Sequence, residues 1–363
     1  MILRREQPER PPPPAFLGSR MVLVFFLLGL GALGCTRYVE ADRGPQAYYQ
    51  TGFPIHDTSE ELEEIQEAVH RIRVASVYQT YFFAEEDAPT ESRSGSPTLL
   101  AQAVDTTRVD RSRAATAVLI AQEEGRLVLL TAGHAVHFPD TIVEYHQGRA
   151  APLPGQPQRT IRSISILSQR TNWIVGLPGL DPFQVLARDD ENDLAFLGVE
   201  YEAREGEPRP RVLPAAVGRP NRLSLGSFVY VLGFPAGYPM VTRGIVSDPR
   251  GEESGSFVVD GLWNEGMSGG LILAVRGDGS GMEWVGMARA AAARSEHRLV
   301  PEEGAHRTQD PWRPYEGPIF LEESRSIQYG ITLSVPVETI RSFANRHRGE
   351  LREQGYELPR IDP

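Results

Sequence analysis

The chain of 363 residues contains no lysine, so all 37 of its basic residues are arginine. Schiff-base lysines, Ser-Lys dyads and phosphate-loop lysines are therefore excluded together. With a single cysteine, Cys35, no internal disulfide can form, and CxxC redox chemistry and cysteine-built zinc sites are excluded as well. The 48 acidic residues outnumber the arginines, and a net charge of −11 argues against nucleic-acid binding. The apolar run MVLVFFLLGLGALG, Met21 to Gly34, falls short of the roughly 20 residues that a transmembrane helix needs. Catalysis is left to Ser, His, Asp and Glu, on a chain whose 40% hydrophobic content can build a sizeable core.

The apolar run follows Arg4, Arg5, Arg10 and Arg20 and ends immediately before Cys35, which is the arrangement of a signal peptide over residues 1–34. Ala32-Leu33-Gly34-Cys35 resembles the lipobox of bacterial lipoproteins, although a leucine usually stands where Ala32 does. The resemblance implies cleavage before Cys35 and acylation of its sulfur, with the bacterial cell envelope, periplasm or cell surface, as the destination. Removing four arginines with Glu6 and Glu9 takes the net charge from −11 to −13, so acyl chains rather than surface charge would hold the membrane. Residues 35–57 read as a flexible polar tether.

From Thr58, the stretch TSEELEEIQEAVHRI suggests a helix with a Thr58–Glu61 capping box and Leu62, Ile65, Val69 and Ile72 on one face. The period then switches to two, and twelve β-rich runs such as TAVLIA, LVLLTA, DLAFLGV and SFVYVLGF predict an all-β barrel or sandwich. Ala84 to Arg113 and Ala291 to Gln328 read as long surface loops, and Tyr201 to Arg211 as a linker between two groups of strands. A closing helix over 336–348 has Pro336 in its first turn, Val337, Ile340 and Phe343 on one face, and Gly349 as its stop. Residues 351–363 read as a polar tail.

Three local patterns carry chemistry: TAGHAV with His134, ENDLAFL with Asp193, and GMSGG with Ser268. Singly, each has a bland reading as a packed histidine, a strand cap or a glycine turn. Together they supply a base, an orienting carboxylate and a nucleophile in the order His, Asp, Ser. Serine needs a base to take its proton, and Asp193, beside an apolar strand, suits the orienting role better than Asp189, Asp190 or Glu191. The glycines permit a tight turn whose Gly266 and Ser268 N–H groups can face a developing oxyanion. GMSGG also satisfies the G-x-S-x-G elbow of α/β hydrolases, but a β-rich run, LILAV, follows the serine where an elbow needs a helix. His70 and His137 show no metal-ligand pattern, and no cofactor is called for.

At these residues the chain resembles the chymotrypsin-fold serine peptidases, and within them the HtrA (high-temperature-requirement A) branch of bacterial envelopes. The motifs are LGSFVYVLGFPAGYPMVTRGIVS, WNEGMSGGLIL, EWVGMARA and YGITLSVPVETIRSF, within a similarity spanning roughly Ala114 to His347. It implies two six-stranded Greek-key β-barrels, about 74–200 and 212–335, inside a peptidase domain of 58–350 with an N-terminal and a C-terminal helix. His134 and Asp193 would come from the first barrel and Ser268 from the second. The implied activity is that of a serine endopeptidase acting on protein or peptide substrates, with oligomers a family habit.

The departures are informative. Met267 precedes the nucleophile where HtrA members usually have asparagine and the trypsin group aspartate, so activation by a new N-terminal ammonium is not expected. The 59 residues from His134 to Asp193 imply an insertion within Phe138 to Leu186. No PDZ domain fits after His347. Leu262 stands where the trypsin group has its pocket-floor aspartate, so an apolar pocket is implied, walled by Met287, Ala288, Arg289 and Ala290. The rival reading from another class is a catalytically silent lipoprotein that uses the fold as a binding module.

Overall fold

The computed structural model describes residues 47–363 except 55–56, 87, 91–97, 147–159, 177–181, 203–208, 252–255, 262–263 and 302–318, with backbone alone at 290–297, 301 and 319–329. The predicted signal peptide, Cys35 and Leu262 lie outside the described residues.

Among the described residues, alternating and fully apolar runs become fourteen strands in two sheets. The first contains β1 (Val69–Phe82), β2 (Asp105–Glu123), β3 (Arg126–Ala132), β4 (Thr141–Tyr145), β5 (Ile161–Val175), β6 (Gln184–Asp189) and β7 (Leu194–Glu200), in the order β4-β5-β1-β2-β3-β7-β6. β7 returns to lie beside β3 after the chain has visited β4, β5 and β6, a Greek-key path. The extra strand β4 lies within the region where the His-to-Asp spacing predicts an insertion. In the second sheet, β9 (Phe228–Gly233), β10 (Met240–Asp248), β11 (Phe257–Val259), β14 (Ile319–Pro336), β13 (Met282–Pro301) and β12 (Leu271–Val275) follow one another. A β12–β13 pairing closes the ring of six, and the two-residue β8 (Ala216–Val217) adds to β13 in parallel. Val231, Val246, Phe257, Val259, Ile272 and Val285 fill this barrel, each no more than 2% exposed.

Several expectations are corrected. The first helix, α1, is only Ser59–Gln66, and Val69 and Ile72 belong to β1, where β-branched residues pair with β2. His70 is thus a buried strand residue. No capping box forms: Thr58 makes no side-chain cap, Asp57 accepts the Ser59 N–H at 3.0 Å, and Glu61 accepts the Met282 N–H at 2.9 Å. Both predicted loops are partly strand, because β2 begins at Asp105 while β13 and β14 pair out to Pro301 and Ile319. The helix before the C-terminus, α3 (Val337–Glu353), passes through Gly349, and burial of Leu351 outweighs the roughly 1 kcal/mol cost of an interior glycine. It stops at Gly355, whose N–H reaches Arg352 O at 2.9 Å while Tyr356 N–H reaches Leu351 O at 2.8 Å, a Schellman motif. The expected polar tail is instead packed: Tyr356, Leu358 and Ile361 are buried.

The tether also ends earlier than expected. Gln50 N–H bonds Val275 O at 2.9 Å, Phe228 N–H bonds Gln50 O at 2.7 Å, and Gly277 N–H bonds Tyr48 O at 2.8 Å. Buried Tyr49 donates its hydroxyl to the buried Glu283 carboxylate at 2.8 Å, and Arg276 meets that carboxylate at 2.8 Å. Burial first, and then the Glu283 charge, pushes the Tyr49 hydroxyl pKa upward, although the Arg219 N–H opposes the rise.

Candidate active site

β3 and β7 are antiparallel, and their last register pair is Ala132 with Leu194. The residues just after β3 and just before β7 must therefore meet. Those are the single helical turn α2 (Gly133–Val136), which carries His134, and the turn carrying Asp193. Gly133 N–H bonds Asp193 O at 2.9 Å and His134 N–H bonds Asp193 Oδ1 at 2.7 Å. Asp193 adopts φ 57°, a left-handed conformation that aspartate tolerates better than most side chains. Its turn is braced by Asp189, which accepts the Glu191 and Asn192 N–H groups at 3.1 and 3.0 Å and an ion pair from Arg346 on α3. Burial opposes the Asp189 charge, but the Asn192 and Glu191 donors and Arg346 overcome it and hold the carboxyl below its usual range.

His134 Nδ1 lies 2.7 Å from Asp193 Oδ2, and Nε2 lies 3.0 Å from Ser268 Oγ. A carboxylate only accepts, so in this arrangement Nδ1 donates to Asp193 and Nε2 is left to accept the Ser268 hydroxyl hydrogen bond. The Asp193 and Ser268 side chains are largely buried, whereas 45% of the His134 side chain is exposed. Arg113, stacked over Phe138, donates to the carbonyls of His134 and His137 and fixes the far end of the turn. Burial and then the Arg188 guanidinium keep His137 below the usual histidine range. The described residues contain no cluster able to hold a metal ion.

Ser268 sits in the turn that leads into β12. Thr116 of β2, fully buried, crosses from the other sheet to hold it: its N–H bonds Ser268 O at 2.9 Å, its hydroxyl donates to Gly266 O at 2.7 Å and accepts the Phe234 N–H at 2.9 Å. Thr131 in turn donates to Thr116 O at 2.6 Å. On the other flank, Gly269 N–H bonds Ala288 O and Ala288 N–H bonds Gly270 O, both at 2.8 Å. Gly266 has φ 101°, and a side chain there would run into the Phe234 carbonyl. Met267 is 1% exposed, and its sulfur fills the space over Gly233, so this position needs no polar partner. The Glu265 carbonyl accepts the Ala236 N–H at 2.7 Å and the Met267 carbonyl accepts the Gly270 N–H at 2.8 Å. In trans peptides N–H and C=O point opposite ways, so the Gly266 and Ser268 N–H groups are turned away from those partners.

Residues 115–282 match the family model of the trypsin-like peptidase domain. This segment belongs to the trypsin-like peptidases. No curated protein matches the sequence significantly. Among solved structures, the HtrA-type protease AlgW is similar. A variant with a decapeptide shares 18% identity at a TM-score of 0.37, over 83% of this chain and 68% of that one. The variant with a tripeptide shares 16% at 0.38, over 81% and 65%, and AlgW with a tripeptide shares 17% at 0.37, over 83% and 65%. The chain thus spans about two thirds of the length of these chains.

The predicted specificity wall is only partly present. Met287 and Ala288 are 1% and 0% exposed and face the core, so they offer no open surface to a substrate side chain. Arg289 does reach the site, with Nε 3.6 Å from Asp193 Oδ2. Ala290 is described by backbone alone, and Leu262 lies outside the described residues. A cavity of about 460 Å³ under the C-terminal segment, lined by Ile120, Leu213, Trp284, Leu358 and Ile361, contains no member of the His-Asp-Ser trio. Sequence reasoning missed Thr116, whose only signal is a lone hydroxyl residue at the head of the apolar run TAVLIA.

Proposed function

We propose that this peptidase cleaves peptide bonds through an acyl-enzyme on Ser268, with His134 as general base and acid and Asp193 as the orienting carboxylate. The observation that carries the reading is the continuous hydrogen-bonded chain from Ser268 Oγ through His134 to Asp193, at 3.0 and 2.7 Å. As Oγ attacks the scissile carbonyl, His134 Nε2 takes its proton, and the Asp193 charge stabilises the resulting imidazolium. The oxyanion of the tetrahedral intermediate takes the N–H groups of Gly266 and Ser268, each worth roughly 3 to 4 kcal/mol in the transition state. His134 returns the proton to the leaving amine, the carbon–nitrogen bond breaks, and water attacks the acyl-enzyme by the same route in reverse. The Glu265–Ala236 bond opposes a flip of the peptide that supplies the Gly266 donor.

The same reading makes the chain an exported lipoprotein of the HtrA-like branch, held at a bacterial membrane through acylated Cys35. Residues 32–35 and the apolar run before them support this. Mass spectrometry of the membrane fraction should find an acylated Cys35 at the mature N-terminus, and Cys35→Ala should release the protein; an unmodified cysteine overturns the anchor.

Treating the purified full-length protein with a fluorophosphonate probe tests the chemistry. An adduct on Ser268 is expected, abolished in Ser268→Ala and reduced by several orders of magnitude in His134→Ala. Absence of an adduct on folded wild-type protein would instead support the silent binding module. Ester hydrolysis without cleavage of an unfolded protein would make it an esterase.

A further inference from the structure

Arg289 has no part in the mechanism above, yet the fold aims it at the site. On β13, Ala288 pairs with Ser334 and Ala290 with Leu333, so Arg289 is the extra residue of a β-bulge with no opposite number on β14. A bulge re-aims one side chain. Here it brings a guanidinium, 28% exposed, to 3.6 Å from Asp193 Oδ2, the oxygen that also faces His134 Nδ1. The preceding residue, Ala288, is bonded in both directions to the nucleophile turn, which fixes the cation relative to Ser268 through backbone rather than through a flexible loop.

We propose that Arg289 is a positioning residue that shares the Asp193 carboxylate with His134 and so disfavours the imidazolium, keeping His134 a free base in more acidic surroundings. The inference rests on the triad reading. Nδ1 and Arg289 Nε lie 2.7 and 3.6 Å from one oxygen, so they are at most about 6.3 Å apart. Two like charges at that distance, in a setting between water and a protein surface, repel by an amount equal to about half to one pH unit of the histidine titration. The other charges around the histidine turn are engaged elsewhere. Arg113 donates to the His134 and His137 carbonyls, and Arg170 donates to that of Phe138. Arg188 spans His137 and Asp190, and Asp189 is bound by Arg346. Among the described residues, only His134 and Arg289 form ion pairs with Asp193.

The test is an NMR titration of ring-labelled histidine in the full-length protein, with the His134 signal assigned by its loss in His134→Gln. The His134 midpoint is expected to rise by about half to one pH unit in Arg289→Met and in Arg289→Gln, and to return most of the way in Arg289→Lys. Equal midpoints in wild type and both neutral variants overturn the proposal. Fluorophosphonate labelling of the same samples separates this inference from the reading beneath it. The acid limb should follow the midpoint, with labelling about 3- to 10-fold slower in the neutral variants well below it. A midpoint that moves in protein forming no adduct upholds the Arg289 coupling and overturns the peptidase chemistry.

Discussion

Replacing Thr116 by valine keeps the shape of a buried side chain and removes its hydroxyl. That hydroxyl donates to Gly266 O at 2.7 Å and accepts the Phe234 N–H at 2.9 Å, and both partners lie in the turns that build the site. Because Thr116 is 0% exposed, bulk solvent does not replace the hydroxyl, and both backbone groups lose their partner. Each such loss costs about 1 to 3 kcal/mol. Together they should lower stability by about 2 to 6 kcal/mol, a fall in Tm of roughly 3 to 9 °C for a domain of roughly 300 residues. The catalytic effect comes from the freed Gly266 carbonyl, because the turn that aims the Gly266 and Ser268 N–H groups is then held only by backbone bonds. Loss of one oxyanion donor sets the ceiling, a fall of about 10²- to 10³-fold in kcat. Thermal melts and hydrolysis of a peptide ester, measured side by side, provide the assay. Thr116→Ser, which keeps the hydroxyl, should retain kcat and lose only about 1 kcal/mol from the deleted methyl. The reasoning fails if valine leaves both Tm and kcat unchanged, or if serine is as damaging as valine.

Asp193→Asn should leave the fold intact and cut kcat by roughly 10⁴-fold, because an amide cannot hold the required tautomer; an activity within tenfold of wild type would remove Asp193 from the mechanism. Gly266→Ala should abolish Ser268 labelling, since a φ of 101° and the Phe234 carbonyl leave no room for a Cβ, and labelling at the wild-type rate would show that the turn is not fixed. Burial pushes His70 down to about 4, so it is neutral when folded but takes a proton near 6.5 when unfolded. Stability is therefore complete above about pH 6.5 and should decline by about 3 kcal/mol as pH falls towards 4. Denaturant midpoints across that window should show the decline in wild type and a flatter profile in His70→Phe. Truncation after Gly355 removes buried Tyr356, Leu358 and Ile361. A loss of several kcal/mol is expected, read from the same denaturant curves, and an unchanged midpoint would show the segment is only draped on the surface.

The site was more legible in the sequence than its supports. His134, Asp193 and Ser268 each stand next to a strand end with a distinctive local pattern, and the register of β3 with β7 turns adjacency in sequence into contact in space. Thr116 gave no such signal, and Arg289 was read as a pocket wall rather than as a neighbour of Asp193, because a hydroxyl becomes a brace only through its partners on another sheet and a bulge exists only relative to a paired strand. The outer part of β2, Asp105 to Arg113, is mostly exposed on both faces, so it lacks the alternation that marks a half-buried strand and reads as a loop. Val69 and Ile72 fit a helical period as well as a strand, and pairing with β2 decided between them. The C-terminal segment misled for the opposite reason: Tyr356, Leu358 and Ile361 are scattered among charges and a proline without any regular period, yet all three are buried.

The stitching of residues 48–50 between Val275 and Phe228 also determines how the molecule would bear a mechanical load. Tension applied upstream of Ala47 passes through the Tyr48–Gly277 and Tyr49–Glu283 bonds into the bonds from Gln50 to Val275 and Phe228. Both belong to the second barrel, and Val275 ends the strand that begins at Leu271, three residues after Ser268. Force would therefore enter about one strand-length, roughly 13 Å, from the Ser268 turn, while the first barrel, with the histidine and aspartate, would feel it less directly, through contacts between the sheets such as those that Thr116 makes.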